Sequence, residues 1–138
     1  MGKNSESEQL LTRTLEVKEA MLGPDDNSVA KSHNSLAGLY KNNMGQYQKA
    51  EEHYLASIRI LEKLFGLAYS QHQFNYNGLI GLYETTGNDA KMREYEEKKK
   101  EWENLQKETK GKEETDEKDK EGTSTMDFMQ MINFVKSN

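Results

Sequence analysis

The 138-residue sequence contains no cysteine. That excludes disulfides and thiolate metal sites, and it agrees with a reducing compartment. Apolar side chains are also scarce, at 33% of residues with a mean hydropathy of −1.04, so any core must be thin. No apolar run approaches the ~20 residues that span a bilayer, and no secretory signal is expected. Met1-Gly2 does not open a myristoylation site, because Glu6 stands where Ser or Thr is required. There is no excess of basic charge. The net charge of −5, with mixed signs, offers no broad positive field for nucleic acid or for insertion at an anionic membrane. Catalytic signatures are missing too: no Gly-x-Ser-x-Gly, no phosphate-cradling glycine loop, no His-Glu-x-x-His. His33, His53 and His72 are not spaced by three or four residues, so a metal pair on one helix is not expected. His33 reads better as a hydrogen-bonded core residue. The sequence predicts a non-enzyme without cofactor or metal.

What is present is helical periodicity. Val29, His33, Leu36, Ala37 and Tyr40 share one helical face. After a turn at 42–46, Tyr47, Ala50, Tyr54, Ile58, Leu61 and Leu64/Phe65 share another. Gly66 follows at a position suited to a left-handed C-cap. This is an αα-hairpin, which cannot bury both apolar stripes alone. Its neighbour lies in the same chain. Leu36-Ala37-Gly38-Leu39-Tyr40 returns 43 residues later as Leu79-Ile80-Gly81-Leu82-Tyr83, and Met21-Leu22-Gly23 returns as Leu64-Phe65-Gly66 at the same interval. Gly45 returns as Gly87 one residue early, because the second turn is shorter. A period of this size predicts an all-α stack of helical hairpins.

Residues 1–7 are polar and predicted to be disordered. From about Glu8, the spacing of Leu11, Leu15, Lys18 and Leu22 predicts a helix closed by Gly23-Pro24. Its register is that of a second hairpin helix whose first is missing. Either the chain is a fragment of a longer protein, the favoured reading, or another chain covers the exposed face. Asp25, Asp26 or Asn27-Ser28 caps the next helix. A third, irregular hairpin carries Phe74, Tyr76, Leu79, Ile80 and Tyr83, then Met92, Tyr95, Trp102 and Leu105 amid heavy charge. Glu94–Lys98 and Glu96–Lys100 support that last helix at i,i+4, and a polar outer face suits a terminal capping repeat. The repeat domain is predicted over 8–106. Residues 107–125 hold no aromatic or aliphatic side chain and predict a disordered charged linker. In the segment 126–138, Phe128, Met131, Ile132 and Val135 share a helical face. They form a helix docked in cis, a motif for a partner, or an unstructured apolar tail.

The order Leu36, Ala37, Tyr40, Gly45, Tyr47, Ala50, Tyr54 follows the tetratricopeptide pattern of alternating large and small contacts, with His33 in place of the usual tryptophan. The Leu-Gly-Pro-Asp-Asp linker and the Asn-x-Leu-Ala-x-Leu-Tyr helix resemble kinesin light chain-type tetratricopeptide repeats. Over about 18–105, Lys63-Leu64-Phe65-Gly66, Tyr69-Ser70 and Tyr76-Asn77-Gly78-Leu79-Ile80-Gly81-Leu82-Tyr83 are similar to the C-terminal repeats of the amyloid precursor protein-binding members of that group.

Resemblance implies a cytoplasmic adaptor, with nuclear or membrane association arising through partners. Two roles follow. One is recognition of amyloid precursor protein-type sorting signals, linked to microtubule transport machinery. The other is reading C-terminal degrons as substrate receptor on a cullin–RING ubiquitin ligase scaffold. Both need a peptide groove, which in such arrays is lined by the first helix of each hairpin. Counting from Leu36, the groove positions are Lys31, Asn34, Gly38 and Lys41; from Leu79 they are Phe74, Asn77, Gly81 and Glu84. Asn34 and Asn77 fall in register, each with a glycine four residues on. Their amides can pair with an extended peptide backbone, and the glycines give it room. The alternative is that the glycines only permit close helix stacking and the asparagines are solvated. A structural or oligomerisation module, or a capping fragment with no groove of its own, is the other functional reading.

Overall fold

The computed structural model describes residues 2–109, and every described element is helical. Helix α1 spans Gly2–Leu22 and α2 spans Asn27–Leu39, continuing as a π turn over Tyr40–Met44. Helix α3 spans Tyr47–Phe65, α4 spans His72–Thr86, and α5 covers 89–109. The first compact unit ends at Trp102 and residues 103–109 belong to a second; the packing below is internal to the first. Phe128, Met131, Ile132 and Val135 lie outside the described residues, as does the predicted linker from 110 onward.

Local chemistry explains the boundaries. Asp26 is the N-cap of α2, its carboxylate accepting from the Ser28 amide at 2.7 Å. The neighbouring Asp25 instead pairs with Arg59 at 3.1 Å and with Lys63, both on α3, which ties the α1–α2 turn to the second hairpin helix. The π turn accounts for the uneven glycine interval. One extra residue separates Tyr40 from Gly45 relative to Tyr83 and Gly87, and it is absorbed as one wide helical turn before Gly45 closes it with φ +65°. Gly66 ends α3 with φ +84° but ψ −178°. This is not the left-handed helical cap that the sequence predicts. It is the mirror-extended region, essentially restricted to glycine, and it sends the chain into the longer loop before α4.

The core is a strip running through successive helices. Val29, Leu36, Ala37 and Tyr40 of α2 pack with Ala50, Tyr54, Ile58 and Leu61 of α3, then with Tyr76, Leu79, Leu82 and Tyr83 of α4, and with Trp102. Periodicity placed most of these correctly. Two faces differ. Leu64 and Phe65 are about half exposed, whereas Ile60 is fully buried. The inward face of α3 has rotated past its last turn, and Phe65 stacks on Tyr69 instead, ring centroids 4.3 Å apart.

The segment expected to be disordered at the N-terminus is helical from Gly2. Asn4 donates its side-chain amide to the Asn43 carbonyl at 3.2 Å, tying the first turn to the end of α2. At the other end, helix continues through 107–109, inside the predicted linker, because Lys and Glu sustain helix without needing burial. Helix α1 rests on α2 through Leu11 and Leu15 and leaves Leu10, Val17 and Met21 exposed.

Candidate functional site

Helices α2 and α4 are the first helices of their hairpins. A cavity of about 310 Å³ lies between them, lined by Lys31, Asn34 and Ser35 of α2, Phe74 and Asn75 of α4, and Ser57 and Leu61 of α3. Three groove residues predicted from sequence, Lys31, Asn34 and Phe74, therefore meet in one place. Phe74 is 59% exposed, an unusual state for a phenyl ring, and forms an apolar wall beside otherwise amide-rich chemistry.

The asparagine pairing is not the one expected. Asn34 donates from Nδ2 to Oδ1 of Asn75 at 2.7 Å, and Asn75 donates from Nδ2 to the Ser57 hydroxyl at 3.1 Å. Asn77 is exposed on α4 and does not line the cavity. In the 43-residue register Asn77 matches Asn34, whereas Asn75 matches the buried Ser32 of α2, so the partner of Asn34 comes from the inward face of α4. Asn75 and Ser57 are each 1% exposed, so the pair forms a buried polar anchor that fixes the Asn34 amide while its carbonyl oxygen remains available to accept.

The glycines also separate in role. A Cβ at Gly38 would meet nothing within 4 Å, so this residue opens the α2 surface and makes no close stack. At Gly81 a Cβ would meet the Lys41 ammonium, so the lysine side chain lies across that glycine. Gly78 carries the close approach. A Cβ there would overlap Cζ of Tyr54, so the tyrosine ring packs directly on the α4 backbone. The repeated Gly-x-Tyr pattern marks Gly81; only the packing distinguishes Gly78.

A second constellation was not legible in the sequence. Nδ1 of His33 on α2 lies 2.9 Å from Nδ1 of His53 on α3, and Nε2 of His33 faces the Glu19 carboxylate on α1 at 3.6 Å. The Tyr40 ring stacks on His53 with centroids 5.6 Å apart. Burial pushes the His33 imidazole down to about 4, with the charges of His53 and Arg59 adding to the effect. Burial also lowers His53, opposed by Glu52 and Glu19. Both rings are therefore neutral at pH 7. The helical-spacing rule for histidine pairs looks along one helix, whereas these two face each other across a hairpin.

A smaller cavity of about 260 Å³ sits beside Tyr83, Glu51 and Lys91. Glu51 accepts from the Tyr83 hydroxyl at 2.6 Å and from Lys91 at 3.0 Å. Burial and then the Glu51 hydrogen bond push the Tyr83 phenol far above its ordinary range. Tied to a cationic lysine and a neutral phenol, the carboxylate is a strut between α3, α4 and α5. Among the described residues, no three His, Cys, Asp or Glu side chains cluster as a metal cage, and no helix is long and apolar enough to cross a membrane.

The family model of the tetratricopeptide repeat matches residues 1–72. No curated protein matches the chain. The matched span covers more than half of the sequence and includes the complete α2–α3 hairpin with its large–small packing. That repeat is a non-catalytic scaffold whose general role is to bind other proteins. The chain belongs to the tetratricopeptide repeat family.

Proposed function

We propose that the protein is a cytoplasmic adaptor that takes an extended peptide along the α2–α4 face, as a relative of amyloid precursor protein-binding protein 2. The supporting observation is the cavity that joins the anchored Asn34 amide to the exposed Phe74 ring. An extended peptide needs a fixed backbone partner and an apolar pocket for one side chain, and this pair supplies both. Lys31, Gly38, Lys41 and Gly81 extend the track, with Lys41 swinging off Gly81 to admit the chain. Resemblance favours two cargo classes, amyloid precursor protein-type sorting signals and C-terminal degrons, with microtubule transport machinery or a cullin–RING ligase scaffold behind them.

Fluorescence anisotropy on the 138-residue chain tests this with a juxtamembrane amyloid-precursor peptide and a C-terminal degron peptide. Binding of one that weakens about tenfold or more in Asn34→Ala and in Phe74→Ala, consistent with loss of a hydrogen bond or of apolar burial, supports the reading. Binding unaffected by both substitutions removes the groove assignment.

The exposed Leu10, Val17 and Met21 of α1 favour a second reading, a module that self-associates. Val17 occupies the register of Ile60, which is fully buried, yet Val17 is 47% exposed. A mass that rises with protein concentration and falls back in Val17→Lys would establish this role.

A further inference from the structure

We propose that His33 and His53 form a two-histidine site for a borderline divalent cation of the zinc type, clamping α2 to α3. Their Nδ1 atoms stand 2.9 Å apart. Two imidazole nitrogens bound to one tetrahedral zinc at about 2.0–2.1 Å are separated by about 3.3 Å, so a small opening of the pair admits the ion. The rear nitrogen of His33 is already placed for this role. Its Nε2 stands 3.6 Å from the Glu19 carboxylate, and a closure of about 0.7 Å would form the carboxylate–histidine hydrogen bond that fixes a ligating ring and raises its basicity. Burial keeps both rings free of competing protons at neutral pH.

The surrounding charges are balanced: Glu19 from α1 and Glu52 from α3 oppose Lys49 and Arg59 of α3, and Arg59 is engaged by Asp25. Without metal, one Nδ1–H donates to the other Nδ1. A proton on the His33 Nε2, the side that faces the Glu19 carboxylate, makes the His33 Nδ1 the acceptor. On binding, that hydrogen bond is exchanged for two nitrogen–metal bonds, and the His53 proton moves to its Nε2. No net proton is released. No third His, Cys, Asp or Glu joins the pair among the described residues, so water completes the coordination.

Zinc chloride is titrated into the full chain by calorimetry and by thermal denaturation. We expect saturable one-to-one binding, a heat independent of buffer ionisation, and a midpoint raised by at least about 4 °C near 1 mM zinc. His53→Asn abolishes the shift, and Glu19→Gln, at a largely exposed position, weakens zinc affinity about 10–100-fold while the chain stays folded. Absence of saturable binding overturns the proposal, as does undiminished binding by a folded His53→Asn. If that variant does not fold, ring nitrogen resonances of the wild type decide. Zinc must shift His33 and His53 and leave the buried His72 unmoved; the opposite pattern places the ion elsewhere.

Discussion

Asn34 on α2 donates its side-chain amide to Asn75 on α4 at 2.7 Å, and the acceptor is buried while the donor borders a cavity. One hydrogen bond thus joins the stacking of successive hairpins to the chemistry of their shared surface. Asn75 has no freedom to meet a ligand; its part is to hold Asn34 in one orientation.

Replacing Asn75 with Ala therefore acts on stability first. It leaves Ser57 and Asn34 short of partners in a buried place, at a cost of about 1–3 kcal/mol. Asn77→Ala, at an exposed position on the same helix, changes stability by less than about 0.5 kcal/mol. Urea denaturation of both variants measures the contrast.

Gly38 on α2 and Gly78 on α4 respond in opposite ways to a methyl group. Gly78→Ala forces a Cβ into the Tyr54 ring, and overpacking of this kind costs about 1–3 kcal/mol. Gly38→Ala meets nothing and gains helix propensity, up to about 1 kcal/mol of stabilisation. If Gly38 serves the groove, the same variant binds peptide less well while melting higher, a combination that a purely structural glycine does not produce.

His33 sets an acid sensitivity in metal-free buffer. Its imidazole titrates at 6.5 in an open chain and at about 4 in the fold. The folded state binds fewer protons between those values, so the stability held above pH 6.5 declines as pH falls toward 4 and then levels off. Thermal midpoints between pH 7 and 5, where few carboxylates titrate, follow this slope. His33→Gln flattens it.

Trp102 is 7% exposed, and its indole N–H donates to the Tyr69 carbonyl at 2.8 Å. Trp102→Phe keeps an aromatic ring but leaves that carbonyl with only the His72 amide as donor, with an expected loss of about 1 kcal/mol. Shortening of the protected amide set in α5 by hydrogen exchange accompanies the loss, since the tryptophan pins α5 to the α3–α4 loop.

The legible part of this protein is the part written in single helices. Leu36, Ala37, Tyr40, Ala50 and Tyr54 announce their burial through spacing alone, because a helix repeats every 3.6 residues whatever it packs against. The interval between Gly45 and Gly87 even betrays the extra residue, though not that a π turn absorbs it. The positions assigned to the first-helix face are placed unevenly. Lys31, Asn34 and Phe74 gather at the cavity as their positions imply, while Asn77 gives way to Asn75 and Gly81 yields the close contact to Gly78.

Those exchanges within the motif share one cause. Sequence repetition fixes which residues are equivalent in successive repeats, but not which unlike faces of neighbouring helices meet. Asn75 holds the register of the buried Ser32 and Asn77 that of Asn34, so the Asn34–Asn75 bond joins two different faces of the repeat. Likewise His33 and His53 are unrelated in sequence and meet only because the hairpin folds them together. The sequence by itself determined an all-α repeat and its thin core, since these depend on periodicity within one segment. Tertiary structure alone decided which amide pairs with Asn34, which glycine admits Tyr54 and which histidines face each other, since those depend on which faces of packed helices meet.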